Sequence, residues 1–406
     1  MKLVIFSEEY IKITKGMFSV WRDHAGEASK KHKIDILLNR EHWAFNEIRE
    51  VFRSNSKVSV HGLPFDMPRT TLNRVIGISY DSRKLRTINF SLQILNLVLS
   101  PLIIFYLVIW LRKVRPDAVF SHNGGWPAGQ LCRWVIVAAA LVRVPARVLI
   151  IHNYPSKPPR YLGLFLLPLR CMQAWIIDKC ATSVVTVSDS VKTILESDVF
   201  SHSVSRVYNG ISLSSSLQKK LVNCATLDWQ SSGLTVGFVG ALYPLKGPHI
   251  LLDAFKLVEV SCELALLGPA DDLYLKTLKQ KADLCGNRVS FLGFQEDVDS
   301  FMQKIDFLVV PSIAFESFGM VILEAMKFKK PVICSDFGGM KEVVEDGVTG
   351  LIIPSGDALE LAKAITKLLT DANLRNKMGE AGYQRLKRLF TSEKMAANYD
   401  AFLQKS

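Results

Sequence analysis

The feature that most constrains this chain is a pattern running through Asp306–Thr349. An apolar run, Phe307–Val310, is stopped by Pro311, and a loop with Glu316, Ser317, Phe318 and Gly319 follows. Val321, Ile322, Ala325 and Met326 then recur at helical spacing. A second apolar run, Pro331–Cys334, ends in Asp336, Phe337, Gly338 and Gly339. Short apolar runs bounded by turn residues read as strands buried on both faces, which is the situation of parallel sheets. In such sheets ligands bind outside the carboxyl ends of the strands. Both glycine-bearing loops fall there.

The residue types in those loops suit one kind of ligand. Gly319 lets the backbone approach closely, and the helix that starts beside it directs free N–H groups and a partial positive charge at the same place. That arrangement suits a phosphate. Glu316 lies in the loop and Glu324 about one and a half turns into the helix. The two carboxylates therefore reach different parts of one ligand, and carboxylates accept hydrogen bonds from sugar hydroxyls. An isolated pair of glutamates is more often a solvated surface pair. The flanking glycines and the strand-end position favour a site for a nucleotide sugar.

Length and charge narrow the class. A chain of 406 residues with 49% hydrophobic and 22% charged residues is expected to form two or three globular domains. Its seven cysteines include no C-x-x-C pair, which argues for reduced core thiols, a reducing compartment and no zinc. The opening MKLVIFSEEY reads as a first strand rather than a secretory leader. Residues 1–230 hold 30 of the 50 Lys and Arg but only 16 of the 38 Asp and Glu, so the first part carries +14 and the remainder −2. No nucleic-acid motif accompanies this excess, and no nucleic-acid partner is expected. An anionic membrane surface or an anionic acceptor fits it better.

Strands are predicted at Leu3–Phe6, Ile34–Leu38, Val58–Val60, Ala118–Phe120, Val148–Ile151 and Val184–Val187, separated by longer helical stretches, as in a doubly wound α/β domain. The loop after the first strand holds Lys15 and Gly16, a weak phosphate or sugar signal on its own. Residues 88–111 contain no charge, yet Asn89, Gln93, Asn96, Ser100 and Pro101 interrupt them. They read as a buried helix or one dipping into a membrane interface rather than as a span. His122 and His152 each stand at the carboxyl end of a predicted strand, with Tyr154 close by. Two histidines at equivalent positions are harder to dismiss as structural than one. After a turn at Tyr208-Asn209-Gly210 the pattern restarts: Leu234–Gly240 followed by a loop with Lys246-Gly247, then runs ending at Gly268 and at Gly293. Lys246 is placed to meet a diphosphate.

These residues together resemble a known family. Val207–Ile211, Gly240 with Lys246-Gly247, Glu316-Ser-Phe-Gly-Met-Val-Ile-Leu-Glu324 and Gly338-Gly339 with Gly347 and Gly350 are similar to the family 4 retaining glycosyltransferases of the GT-B fold (glycosyl transferases group 1). The similarity is strong over 205–354 and looser before it. It implies an α/β architecture of two Rossmann-like domains facing across a cleft. The first would span 1–212, joined by a returning helix at 388–406, and the second, holding the nucleotide, 213–387. It implies a donor site in which Glu324 takes the ribose, Gly293 and Phe294 line the base, and Gly240, Lys246 and the backbone of Phe318, Gly319 and Met320 hold the diphosphate. Glu316 would meet the transferred sugar, His152 the reaction centre, and Gly16 the phosphates from the other domain. His122, Lys15 and Tyr154 would lie on the acceptor side. The implied donor is a UDP- or GDP-sugar, with no metal and no cofactor. The implied acceptor is a glycan, lipid-linked in surface polysaccharide or glycolipid assembly, met by a cytoplasmic enzyme peripheral to the cell membrane. One position departs from the pattern: Ala241 stands where the family usually has an Arg paired with the Lys. A small soluble acceptor, or a weakened relative that binds a nucleotide sugar, are the alternatives. A nicotinamide or flavin enzyme is disfavoured, because no G-x-G-x-x-G with a following acidic residue occurs.

Overall fold

The computed structural model describes residues 1–7, 15–39, 44–64, 83–124, 129–153, 171–198, 200, 203–213, 229–231, 233–295 and 297–404, with 15–17, 39, 83–98 and 198 by backbone alone. The chain divides into two compact units. One comprises Met1–Val187, Lys192–Val207 and Ala396–Ser406, the other Ser188–Val191 and Tyr208–Met395.

The first unit is built on a parallel sheet of β1 (Lys2–Ser7), β2 (Lys33–Asn39), β3 (Val58–Leu63), β4 (Ala118–Asn123), β5 (Ala146–Ile151), β6 (Ser183–Thr186) and β7 (Ser205–Arg206). Their order is β3-β2-β1-β4-β5-β6-β7. The second has β8 (Thr235–Val239), β9 (Glu263–Leu267), β10 (Arg288–Phe291), β11 (Phe307–Val310), β12 (Val332–Ser335) and β13 (Gly350–Ile353) in the order β10-β9-β8-β11-β12-β13. All these pairings are parallel. Strand order reverses between β1 and β4 in one sheet and between β8 and β11 in the other. Loops diverge at such a reversal and leave a crevice.

The apolar runs became strands because helices cover both faces of each sheet. Leu3–Phe6 and Phe307–Leu308 are buried, as are Leu251, Leu252, Phe255, Leu361, Ile365 and Leu368 on two helices of the second unit. Two strands escaped the sequence reading: β7 is two residues long, and β13 opens on Gly350, where little apolar run is left to detect.

Residues 88–111 lie within one helix, Arg83–Val114, which continues through Pro101. Ile103, Leu107 and Leu111 are buried, while Leu102, Phe105 and Ile109 are exposed. Both sides of this segment are thus apolar, but only one is covered. Among the described residues no helix is long and apolar enough to cross a membrane.

Near the carboxyl terminus the helix Ala372–Leu389 stops at Phe390, and Ser392–Asp400 begins after Thr391, whose hydroxyl accepts from the N–H of Lys394 at 3.3 Å. Tyr399, in the part that clusters with the first unit, is fully buried. Its ring lies 4.6 Å from that of His24 and 6.0 Å from that of Phe120. Tyr399→Ala should remove that packing at a cost of about 3–5 kcal/mol, the range for emptying a buried aromatic site. Denaturant unfolding followed by probes in β4 and β5 checks this, and a loss below about 1 kcal/mol would contradict the packing described.

Candidate functional site

The site in the second unit is assembled from loops at the carboxyl ends of β8 and β11. After β8 the chain passes Gly240, makes a short 3-10 turn at Pro244–Lys246, and enters the helix Pro248–Phe255. Two contacts bind this loop to the one after β11. Ile313 donates its N–H to the Leu245 carbonyl at 3.0 Å. Gly247 packs so close that a Cβ there would lie 2.0 Å from the Pro311 carbonyl oxygen. The consequence is direct: the ammonium of Lys246 donates to the carboxylate of Glu316. Their side chains are 42% and 24% exposed, so the pair stands open to solvent and its net contribution is on the order of 0–1 kcal/mol. It is cheap to rearrange around a ligand.

Beyond Glu316 the loop is fixed from two sides. Phe318 is buried, with its ring 5.8 Å from Tyr208 and 5.7 Å from Phe390. Behind Glu316 lies the Gly-Gly turn after β12. Gly339 donates its N–H to the Glu316 carbonyl at 2.8 Å, and a Cβ on Gly338 would stand 2.2 Å from that same oxygen. Gly338 has φ +73°, so geometry and space both demand glycine there. Gly319 takes φ +86° at the N-cap of the helix Met320–Lys327, and no side chain caps its first turn. Those N–H groups and the helix dipole favour an anion. Glu324 is half-buried on that helix.

Gly293 and Phe294 follow β10, with Phe294 exposed, and Gly268 after β9 donates to the Gly293 carbonyl at 2.8 Å. A chain of strand-end loops thus runs from Gly293 through Gly268 and Gly240, whose N–H donates to the Leu267 carbonyl at 3.0 Å, to Lys246. Ala241 brings no charge to it, and the cation recorded at Glu316 is Lys246.

In the first unit, His152 follows β5 and donates its backbone N–H to the Asn123 carbonyl at 2.9 Å. His122 lies in β4. Its position changes the role expected for it: the side chain is fully buried, and its two ring nitrogens pair with His24 and His152. No atom of its ring is left for an acceptor, so it stands behind His152. The alternation of β4 is the reason, since it turns His122 towards the helix that carries His24. Lys15 and Gly16 begin the helix Lys15–Ser29 and are described by backbone alone. Tyr154 lies outside the described residues. Burial holds His24 and His152 down to a pKa of about 3 and His122 well below the ordinary imidazole range.

Sequence reasoning missed His24, which sits on a helix with no motif around it. It also missed the direct Lys246–Glu316 pairing, for which only the shared strand-end position was a signal.

Comparison with known proteins bears on the same residues. Residues 225–385 match the family described as glycosyl transferases group 1. An uncharacterized glycosyltransferase of Methanocaldococcus jannaschii is 34% identical over 203 residues, which is 49% of this chain and 53% of that protein. The capsular polysaccharide biosynthesis glycosyltransferase CapM of Staphylococcus aureus is 26% identical over 315 residues, 74% of this chain and 80% of CapM. The match thus spans about half the length of the first of these relatives and most of the second. Among solved structures, Anabaena HepE in complex with UDP superposes with a TM-score of 0.71 over 100% of both chains at 21% identity. That likeness establishes the fold, GT-B.

Gly338→Ala should force the Glu316 carbonyl away and impose a left-handed backbone on alanine, lowering stability by about 1–3 kcal/mol. Gly286→Ala, where an added Cβ meets nothing within 4 Å, is the control. Thermal melts of the two variants should separate. Equal melting temperatures would show that the Gly-Gly turn does not brace Glu316.

Proposed function

We propose that this chain, which belongs to glycosyl transferases group 1 through residues 225–385 and has the GT-B fold, is a retaining, metal-independent glycosyltransferase. It moves a sugar from a nucleoside diphosphate sugar to a hydroxyl of a glycan acceptor carried on a lipid. The observation that carries this reading is the convergence, at the strand reversal of the second unit, of Lys246, Glu316 and the uncapped helix start at Gly319–Met320.

Each group has a task in the reaction. Lys246 and the N–H groups of the helix Met320–Lys327 hold the diphosphate and stabilise the charge that grows on it as the glycosidic bond breaks. Gly240 gives the phosphates close access, and Gly16 is a further candidate for phosphate contact. Glu316 accepts hydrogen bonds from the sugar and, paired with Lys246, ties sugar position to phosphate position. Glu324 holds the ribose, and Gly293 and Phe294 line the base. His152 lies beside the sugar. The leaving phosphate takes the acceptor proton on the face from which it departs, so the anomeric configuration is kept and the protein contributes orientation and charge. UDP is the first donor nucleotide to test, because HepE was crystallised in complex with UDP and with UDP-glucose.

Features of the first unit support the acceptor reading. Leu102, Phe105 and Ile109 are exposed on one helix that ends in Arg112 and Lys113, and Trp175 is exposed elsewhere in the same unit. Apolar anchors with basic neighbours, in a part of the chain carrying +14, suit an anionic lipid surface. The association of CapM with capsular polysaccharide biosynthesis supports a glycan as the acceptor.

Two measurements test the reading. In a thermal-shift panel of UDP, GDP, ADP and dTDP, one nucleotide should raise the melting temperature of the wild type. Lys246→Ala should abolish that shift and lower sugar transfer by about a hundredfold or more with an unchanged circular dichroism spectrum, by comparison with the loss of one transition-state donor. Near-normal transfer in that variant would refute the donor site. For the acceptor side, the wild type should float with phosphatidylglycerol vesicles at low salt and not with phosphatidylcholine, and Phe105→Glu should weaken flotation. Indifference to both lipids would leave a soluble acceptor as the better reading.

A further inference from the structure

Three imidazoles stand in a row inside the first unit. His24 comes from the helix Lys15–Ser29, His122 from β4 and His152 from just beyond β5. His24 Nδ1 lies 3.1 Å from His122 Nε2, and His122 Nδ1 lies 2.9 Å from His152 Nε2. The rings of His122 and His152 lie 16° from parallel with centroids 5.2 Å apart, as suits an end-to-end contact between ring nitrogens. Only 1%, 0% and 8% of the three residues is exposed.

Proton counting restricts what such a row can do. Burial keeps all three rings neutral at ordinary pH. A neutral imidazole has one N–H and one lone pair. The two hydrogen bonds consume two of each, so one N–H and one lone pair remain, at opposite ends of the row. Either all three rings carry the proton on Nδ1 or all three carry it on Nε2. Any other combination sets two donors or two lone pairs face to face in a buried place. The free end is Nδ1 of His152, which is buried and has no hydrogen-bond partner among the described residues. An unmet buried polar atom is costly, a cost that a hydroxyl-bearing ligand would offset. At the other end the ring of Tyr399 packs 4.6 Å from His24 and leaves little room for that ring to turn.

We propose that His24 and His122 are positioning residues which tie the tautomer of His152 to the row and hold its ring plane, so that its Nδ1 meets a hydroxyl of the transferred sugar in the tautomer that the whole row shares. The proposal rests on placing His152 at the reaction centre. His122 acts by holding His152 Nε2, and His24 acts one step further back by holding His122 Nε2. Neither touches the substrate.

The test is made on the full chain with 15N-labelled histidine. Two-bond nitrogen–proton correlation spectra report the tautomer of each ring, and His→Phe variants assign the three signals among the eight histidines. In the wild type His24, His122 and His152 should share one tautomer. In His122→Phe and in His24→Phe the His152 signal should move towards a mixture of tautomers. Turnover is followed with whichever of UDP-glucose, GDP-mannose, ADP-glucose and dTDP-glucose the wild type consumes fastest. In His122→Phe, kcat should fall tenfold or more while KM for the donor changes by a few-fold at most. Unlike tautomers in the wild type, or a His152 signal unmoved in both variants, would overturn the proposal, and the wild-type spectrum decides even if a variant does not fold. His152→Ala separates the two readings. Full turnover in that variant refutes the place of His152 at the reaction centre, and with it the ligand named here, whereas loss of turnover with unlike wild-type tautomers refutes the row alone.

Discussion

The candidate site of the second unit depends on one close contact, Gly247 against the carbonyl of Pro311. Strands β8 and β11 flank the point where strand order reverses, and loops at such a point diverge. Without a link between them, Lys246 and Glu316 would belong to separate surface loops. The missing side chain at Gly247 and the Ile313–Leu245 hydrogen bond draw the loops together, and a cation and a carboxylate meet as a result. The Gly-Gly turn after β12 then closes on the back of Glu316. Three strand ends are thereby tied into one rigid rim, with the charged groups on its open side.

How much of this was legible depends on whether the physics was local. Phe307–Val310 and Pro331–Cys334 announced buried strands because both faces of a parallel sheet select apolar residues. Glu316, Gly319 and Glu324 could be grouped as candidates because a loop and a helix start in direct succession place them in known relation. Lys246 could be nominated by its strand-end position, but its partner lies 70 residues away and only the sheet order brings the two together. His24 gave no signal, since a histidine on a helix looks the same whether it faces a leucine or another histidine. His122 shows the opposite failure. Its strand-end position suggested substrate contact, and the alternation of β4 turned it inward. Tyr399 sat in a segment whose spacing promised a helix, without saying what its ring would cover.

Ala241 bears on the electrostatics of the rim. With one loop cation recorded there and that cation paired to Glu316, the local charge is close to balanced before any ligand is considered. A diphosphate drawn to this place would gain from charge-assisted hydrogen bonds to Lys246 and from the uncapped N–H groups after Gly319. The pair is half-exposed and weak, so turning Lys246 towards phosphate costs little. Glu316 is then freed for hydroxyls in the same movement. Under the proposed function the Lys246–Glu316 pair is a sensor of a complete donor, because phosphate on one side and sugar on the other replace a single salt bridge.

The two units place their polar groups in opposite settings. The second unit works with charge at a solvated rim, where ions keep their hydration and can exchange partners. The first works with neutral rings in a dry interior, where a fixed charge would be costly. Burial that strips the imidazoles of their protons also makes their tautomers interdependent, since no water competes for the shared hydrogen bonds. A glycosyl transfer in which the leaving phosphate accepts the proton needs no protein base. It needs a cation where charge accumulates and an uncharged, well-oriented contact where the sugar turns cationic. A histidinium beside that sugar would oppose the developing positive charge. Under the proposed function, the desolvation that holds His152 neutral removes that opposition, and the row of histidines supplies the orientation that a lone neutral histidine would lack.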